Sequence, residues 1–241
     1  MKKPDWSRLI FYLRIVFILF TLGAVIYNLL SRDWELMLSS VFTLVLFIFT
    51  SYLSKKGSLH LPPLFQVFIL LFIFGSMYLG EIRDYYYKYR WWDTMLHSSS
   101  AMILALTGYI MVYVLNRDKD IDLKLSPFFI SLFSFCFALM IGIIWEIFEY
   151  GVDSIIGGNM QKARGLTLPS GIPESRLGLI DTMNDLIVDA IGAFVVSALG
   201  YYYAKKRHPG ENTFSKLKEE IIEENPELFE DSGKAEPEET R

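Results

Sequence analysis

The sequence predicts an all-α fold, a polytopic bundle of six transmembrane helices followed by a short acidic cytoplasmic tail. Three observations carry that prediction. The 241 residues are 52% hydrophobic and 16% aromatic, with a mean hydropathy of +0.32. Six apolar runs, roughly 9–30, 34–54, 61–80, 94–116, 126–150 and 182–204, are far more than one soluble core needs. At about 1.5 Å per residue, a run of about 20 residues crosses the ~30 Å hydrocarbon layer. From Lys216 onward, KLKEEIIEENPELFEDSGKAEPEETR is polar and acidic, so composition changes abruptly after the last run. The expected organisation is a membrane domain over residues 1–207 and a largely disordered tail over 208–241.

The first run follows MKKPDWSR, a positive start, but it is too long for a cleaved signal and no small-x-small site follows. It reads as a membrane helix in which Arg14 can snorkel to the nearer surface. The second and third runs lack acidic stripes. GEIRDYYYKYRWW (80–92) then suits the membrane interface, where Trp and Tyr sit well.

The last three runs differ. The fourth opens on WWDTMLHSSS, with Asp93 and His97 at i and i+4; the fifth ends on IIWEIFEYGVD, with Glu146, Glu149 and Asp153. The sixth opens on DTMNDLIVDAIG, with Asp181, Asp185 and Asp189 at intervals of four. Residues three or four apart share a helix face, so each set is a stripe. The link 155–180 contains Gly157, Gly158, Gly165, Pro169, Gly171 and Pro173 and is expected to be irregular, as a lid or a tether. Gly142, Gly192 and Gly200 are expected to let helices approach closely. A short amphipathic helix is expected over 213–224 of the tail.

Alternating helix directions place the three stripes at one membrane face. Asp189 then lies about 12 Å deeper than Asp181. Cytoplasmic termini gather eleven basic residues on the inner side before the tail, against seven outside, so the stripes face outward from a cell membrane. No basic patch interleaved with aromatics points to nucleic acid. Cys136 is the sole cysteine, so no intramolecular disulfide forms.

A carboxylate at a helix centre costs about 2.5–3.5 kcal/mol on insertion scales, so these acids must face inward and be compensated. The nearby cations are His97, with Arg164 and Arg176 in the link, which are too few. A bound ion or shared protons resolve the imbalance. One imidazole among carboxylates favours magnesium, manganese or calcium over zinc. Glu146, Asp181, Asp185 and Asp189 are the expected ion ligands. His97, tuned by Asp93, is the expected general acid or base, with Glu149 beside them and Arg164 or Arg176 for a substrate phosphate. Asp153 and Asn184 taken singly read as hydrogen-bonding glue between helices, and Ser98, Ser99 and Ser100 as interface serines. His60 and His208 lie at the opposite end and are read as incidental.

WWDTMLH, GIIWEIFEYGVD and GLIDTMNDLIVDAIGA together resemble the YjdF-like family of bacterial and archaeal multi-pass membrane proteins. The resemblance runs from the second helix to the sixth and implies topology and key residues, not a reaction. More remotely, the Asp-x-x-x-His opening is similar to VanZ-like proteins, which are associated with glycopeptide resistance. The leading functional expectation is a metal-dependent hydrolase or transferase embedded in the lipid bilayer, acting on a lipid-linked or envelope substrate. A proton- or cation-coupled transporter and a non-catalytic membrane scaffold are the alternatives.

Overall fold

The computed structural model describes residues 5–56, 62–115, 125–155, 157–161, 174–206 and 222–223. These residues are helical with short connections, in the order α1 Trp6–Leu30, α2 Trp34–Lys56, α3 Pro63–Ile73, a π-helix Phe74–Ile82, α4 Tyr85–Lys88, α5 Trp92–Leu115, α6 Pro127–Ile155 and α7 Glu174–Lys206. Among the described residues, six helical stretches are long and apolar enough to cross a membrane. They run Trp6–Leu30, Trp34–Tyr52, Pro63–Ile82, Trp92–Val112, Pro127–Ile155 and Arg176–Lys205. The expected six-helix, all-α architecture is the one observed.

Local chemistry sets the helix starts. The Asp5 carboxylate accepts from the Arg8 N–H at 3.3 Å, and Asp33 accepts from the Leu36 N–H at 3.2 Å, each capping orphan donors. Ser126 does the same for α6 through the Phe129 N–H at 3.2 Å, with Pro127 at the first helical position. Two expected boundaries move. The fifth span continues five residues past 150, and α7 begins at Glu174 rather than 182. An apolar-run criterion stops where polar residues begin, whereas the backbone hydrogen-bond ladder of a helix continues through the polar turns 151–155 and 174–181. Part of the link expected to be irregular is therefore helix, and residues 157–161 are its described non-helical part. Residues 162–173, the expected tail helix over 213–224 apart from 222–223, and nearly all of the tail lie outside the described residues.

The chain divides into two compact units between Ile73 and Phe74. In the first, α1 lies against α2, and α3 contacts both. Asn28 Nδ2 donates to Ser40 Oγ at 3.2 Å, and Phe17 meets Phe47 with ring centroids 5.8 Å apart. In the second, α5, α6 and α7 pack on one another in all three pairings around Ala101, Ala105, Ala138 and Ala193. Small side chains let membrane helices approach backbone to backbone, where dispersion replaces the absent hydrophobic drive.

Gly142 and Gly192 serve the close packing expected of them, and Gly108 joins them. A Cβ on Gly108 would stand 3.0 Å from the Ser134 Cα, and one on Gly192 would stand 2.8 Å from the Ser98 carbonyl oxygen. Gly200 is buried and its carbonyl accepts from the Tyr109 hydroxyl at 3.4 Å. The π-helix, a rare form, has its Gly75 carbonyl bonded by Trp92 Nε1 at 3.1 Å, which ties it to the start of α5.

Candidate functional site

Asp93 is the second residue of α5 and His97 sits one turn further in. That imidazole is the centre of the site. Its Nε2 lies 3.9 Å from Asp93 Oδ1 and 3.8 Å from Glu146 Oε1 on α6, and its Nδ1 lies 3.4 Å from Asp189 Oδ1 on α7. Asp185, one turn from Asp189, completes the group. Asp93, His97 and Asp185 each offer one ligand atom, all within 4.8 Å of one another. Acids from three helices thus converge on one imidazole.

Burial sharpens the electrostatics. Glu146, Asp185 and Asp189 are only 4%, 4% and 2% exposed, and His97 is 8% exposed. Both Glu146 oxygens, Asp185 Oδ2 and Asp189 Oδ1 have no hydrogen-bond partner among the described residues. Buried carboxylate oxygens without donors are costly, because the water they leave is not replaced. The donor set consists of hard oxygens and one imidazole, with one ligand atom each from Asp93, His97 and Asp185 within 4.8 Å of one another. That set fits a hard divalent cation.

Of the other expected site residues, Glu149 and Asp181 each lie one helical turn from a member of this group. Glu149 is buried one turn from Glu146, and its Oε1 accepts from Trp145 Nε1 at 3.0 Å. Asp181 is half-buried one turn before Asp185. Arg176 is exposed near the start of α7, and Arg164 lies outside the described residues. Asp153, expected as glue between helices, instead clasps its own following loop. Its carboxylate accepts from the Met160 N–H at 2.6 Å and the Gln161 N–H at 3.0 Å. Asp153→Ala is expected to remove two charge-assisted bonds and release that loop, lowering hydrogen-exchange protection at the Met160 and Gln161 amides by about tenfold or more.

The clasp positions two residues that sequence reasoning missed. Gln161 Nε2 donates to Thr182 Oγ1 at 2.9 Å and reaches the Gly178 carbonyl at 3.5 Å. Tyr86 was also missed. Its ring lies on Gly80, where any Cβ would collide with it. Burial, and then the charges of Asp93, Glu81, Glu149 and Asp185, push its phenol upward, so it stays a protonated donor beside the acids. Nothing distinguishes Tyr86 within YYYK by sequence. The Trp145–Glu149 spacing of four was the one signal available for a site neighbour.

Gly142 is the seat of the Asp189 carboxylate, and a Cβ there would collide with it. Gly142→Ala is therefore expected to push Asp189 away from His97 while leaving helix propensity improved. In protein labelled with nitrogen-15 at its three histidines, one ring resonance is expected to shift and the other two to stay. Three unmoved resonances would refute this placement.

A family model described as predicted membrane protein (DUF2238) matches residues 10–206, which contain every helix of this site. The chain belongs to that family. The match is consistent with the YjdF-like resemblance and does not bear on the VanZ-like one. Within the curated proteins, an uncharacterized protein of Thermotoga maritima is 26% identical over 157 residues, covering 64% of this chain and 70% of that protein. No solved structure matches. This DUF2238 member therefore takes its functional reading from its own residues.

Proposed function

We propose that the protein is a membrane-embedded hydrolase or transferase that depends on a divalent cation and acts on a lipid-linked substrate. The observation that carries this is the meeting of Asp93, His97 and Asp185 ligand atoms within 4.8 Å, beside Glu146 and Asp189, whose buried oxygens include ones that lack donors among the described residues. Magnesium, manganese or calcium suits that donor set better than zinc. Asp93, His97 and Asp185 would hold the ion, with Asp189 held against His97 Nδ1 from the other side. This grouping moves His97 from proton transfer to ligation and draws Asp93 into the ion's ligands. When bound, a divalent cation supplies positive charge for polarising a substrate oxygen and offsets the surplus carboxylates.

Glu146 then has a distinct task. It is buried, its oxygens accept no hydrogen bond within 3.5 Å among the described residues, and it stands 3.8 Å from His97 Nε2 and lines a cleft between α6 and α7. Such a carboxylate is placed to take or give a proton to a molecule in that cleft. Tyr86, protonated beside the same acids, supplies a hydrogen-bond donor, and Arg176 or Arg164 offers a phosphate contact. The distribution of basic residues supports cytoplasmic termini in a cell membrane, a site facing the outer side, and a cytoplasmic tail over 208–241. Access from that side makes an envelope substrate the fitting class.

Elemental analysis of the purified protein beside Asp185→Ala tests the proposal. About one magnesium, manganese or calcium per chain is expected in the wild type, falling to background in the variant because one of three ligands is gone. Equal metal content in the two proteins would remove its basis.

A further inference from the structure

We infer that the cleft between α6 and α7 holds a hydrocarbon chain of a phosphorylated lipid whose head reaches the acid–imidazole cluster past Glu146. This rests on the reading of that cluster as a divalent-cation site and names its substrate class and route of access.

The cleft has a volume of about 380 Å³, within the range of small-ligand sites of about 300–1,000 Å³. Its walls are Ile143, Ile147 and Tyr150 on α6 and Leu179 and Leu186 on α7. Ile147, Tyr150 and Leu179 are at least 60% exposed. On membrane-spanning helices that exposed surface meets acyl chains, so the cleft is continuous with the hydrocarbon of the bilayer. Water in such a groove would find few polar partners, whereas an alkyl chain would find apolar walls on both sides.

The cleft is not apolar throughout. Glu146, Thr182 and Gln161 also line it, and the Gln161–Thr182 bond fastens the loop across to α7. Glu146 belongs to two environments at once, lining the cleft and standing 3.8 Å from His97 Nε2. A molecule filling the groove therefore presents its polar end to the cluster. Magnesium-type ions held by a few carboxylates characteristically complete their shells with phosphate oxygens, which selects a phosphorylated head over a neutral one.

The test uses the full chain in phosphatidylcholine nanodiscs carrying a phosphatidic acid with a photoactivatable diazirine in one acyl chain. Diacylglycerol with the same labelled chain provides the second arm. After irradiation, labelling is expected to concentrate on Ile147 and Leu186, about tenfold above Ile187 and Phe194, which face lipid on α7 outside the cleft. Leu186→Trp, and independently Ile147→Trp, is expected to abolish that excess by filling the groove. The diacylglycerol probe is expected to show little of it. Even labelling of all four positions, an excess that survives both tryptophans, or equal labelling by the two probes would overturn the inference. Asp185→Asn separates this failure from that of the ion reading. The variant is expected to keep a correctly folded cleft yet lose the preference for phosphatidic acid. A wild type that holds no metal but keeps the excess and the preference would sink the ion and leave the lipid in place.

Discussion

Divalent cation is expected to raise the thermal midpoint of the wild-type protein in detergent, and chelator is expected to lower it. A ligand that binds only the folded state stabilises it by about 2.7 kcal/mol at a concentration about 100 times its dissociation constant. For a chain of this size each kcal/mol shifts the midpoint by about 2–4 °C, so the change with manganese or magnesium is roughly 5–10 °C. Asp185→Asn is expected to lose that response and to have the higher midpoint of the two proteins in chelator. The reason lies in the charge balance: Glu146, Asp185 and Asp189 are nearly fully buried around one imidazole. Without an ion, each ionised neighbour repels the others across a medium of low dielectric. An uncharged isostere relieves that repulsion and also removes a ligand. The two proteins therefore exchange rank: the variant is the more heat-resistant in chelator and the wild type with cation. A wild-type midpoint indifferent to magnesium, manganese and calcium would end the ion assignment.

Gly192→Ala is expected to destabilise the bundle by about 1–3 kcal/mol. The added Cβ would lie 2.8 Å from the Ser98 carbonyl oxygen, 3.4 Å from the Ala101 Cβ and 3.5 Å from the Met102 Cγ. The first of these is backbone in the middle of a helix and cannot rotate aside, so α5 and α7 must separate. Those helices bring His97 and Asp185 together, and Ser98 is the residue after His97. The same substitution is therefore expected to weaken cation binding. Gly23→Ala is the matching control, because nothing lies within 4 Å of a Cβ there. It is expected to be neutral or to stabilise by up to ~1 kcal/mol through helix propensity. Equal midpoints for the two variants, by thermal or dodecyl sulfate unfolding, would show that the α5–α7 approach is not close enough to matter.

Much of the candidate site is legible in residue order, and the boundary of that legibility is physical. Asp93 with His97, Glu146 with Glu149, and Asp185 with Asp189 each share a helix face by spacing alone. Hydrocarbon penalises stray charge, so those faces had to meet something other than lipid. Ring contacts between helices were a different matter. Asp93, a helical turn away, was the expected partner of His97. Asp189 comes nearer, at 3.4 Å against 3.9 Å, because Gly142 leaves room for its carboxylate. The turn of Gln161 onto Thr182 depends on Asp153 gripping the backbone N–H groups of Met160 and Gln161, seven and eight residues along the chain. The π-helical winding of Phe74–Ile82 has no composition that announces it.

Six membrane-length helices, their apolar surfaces and three acidic stripes follow from the chain's linear order, since length, hydropathy and a 3.6-residue period are local properties. Which acids share the imidazole, and that Glu146 looks both toward it and into a cleft, follow from the folded arrangement. Those outcomes depend on how closely backbones approach at Gly108, Gly142 and Gly192, and a contact between distant helices leaves no periodic trace in either one.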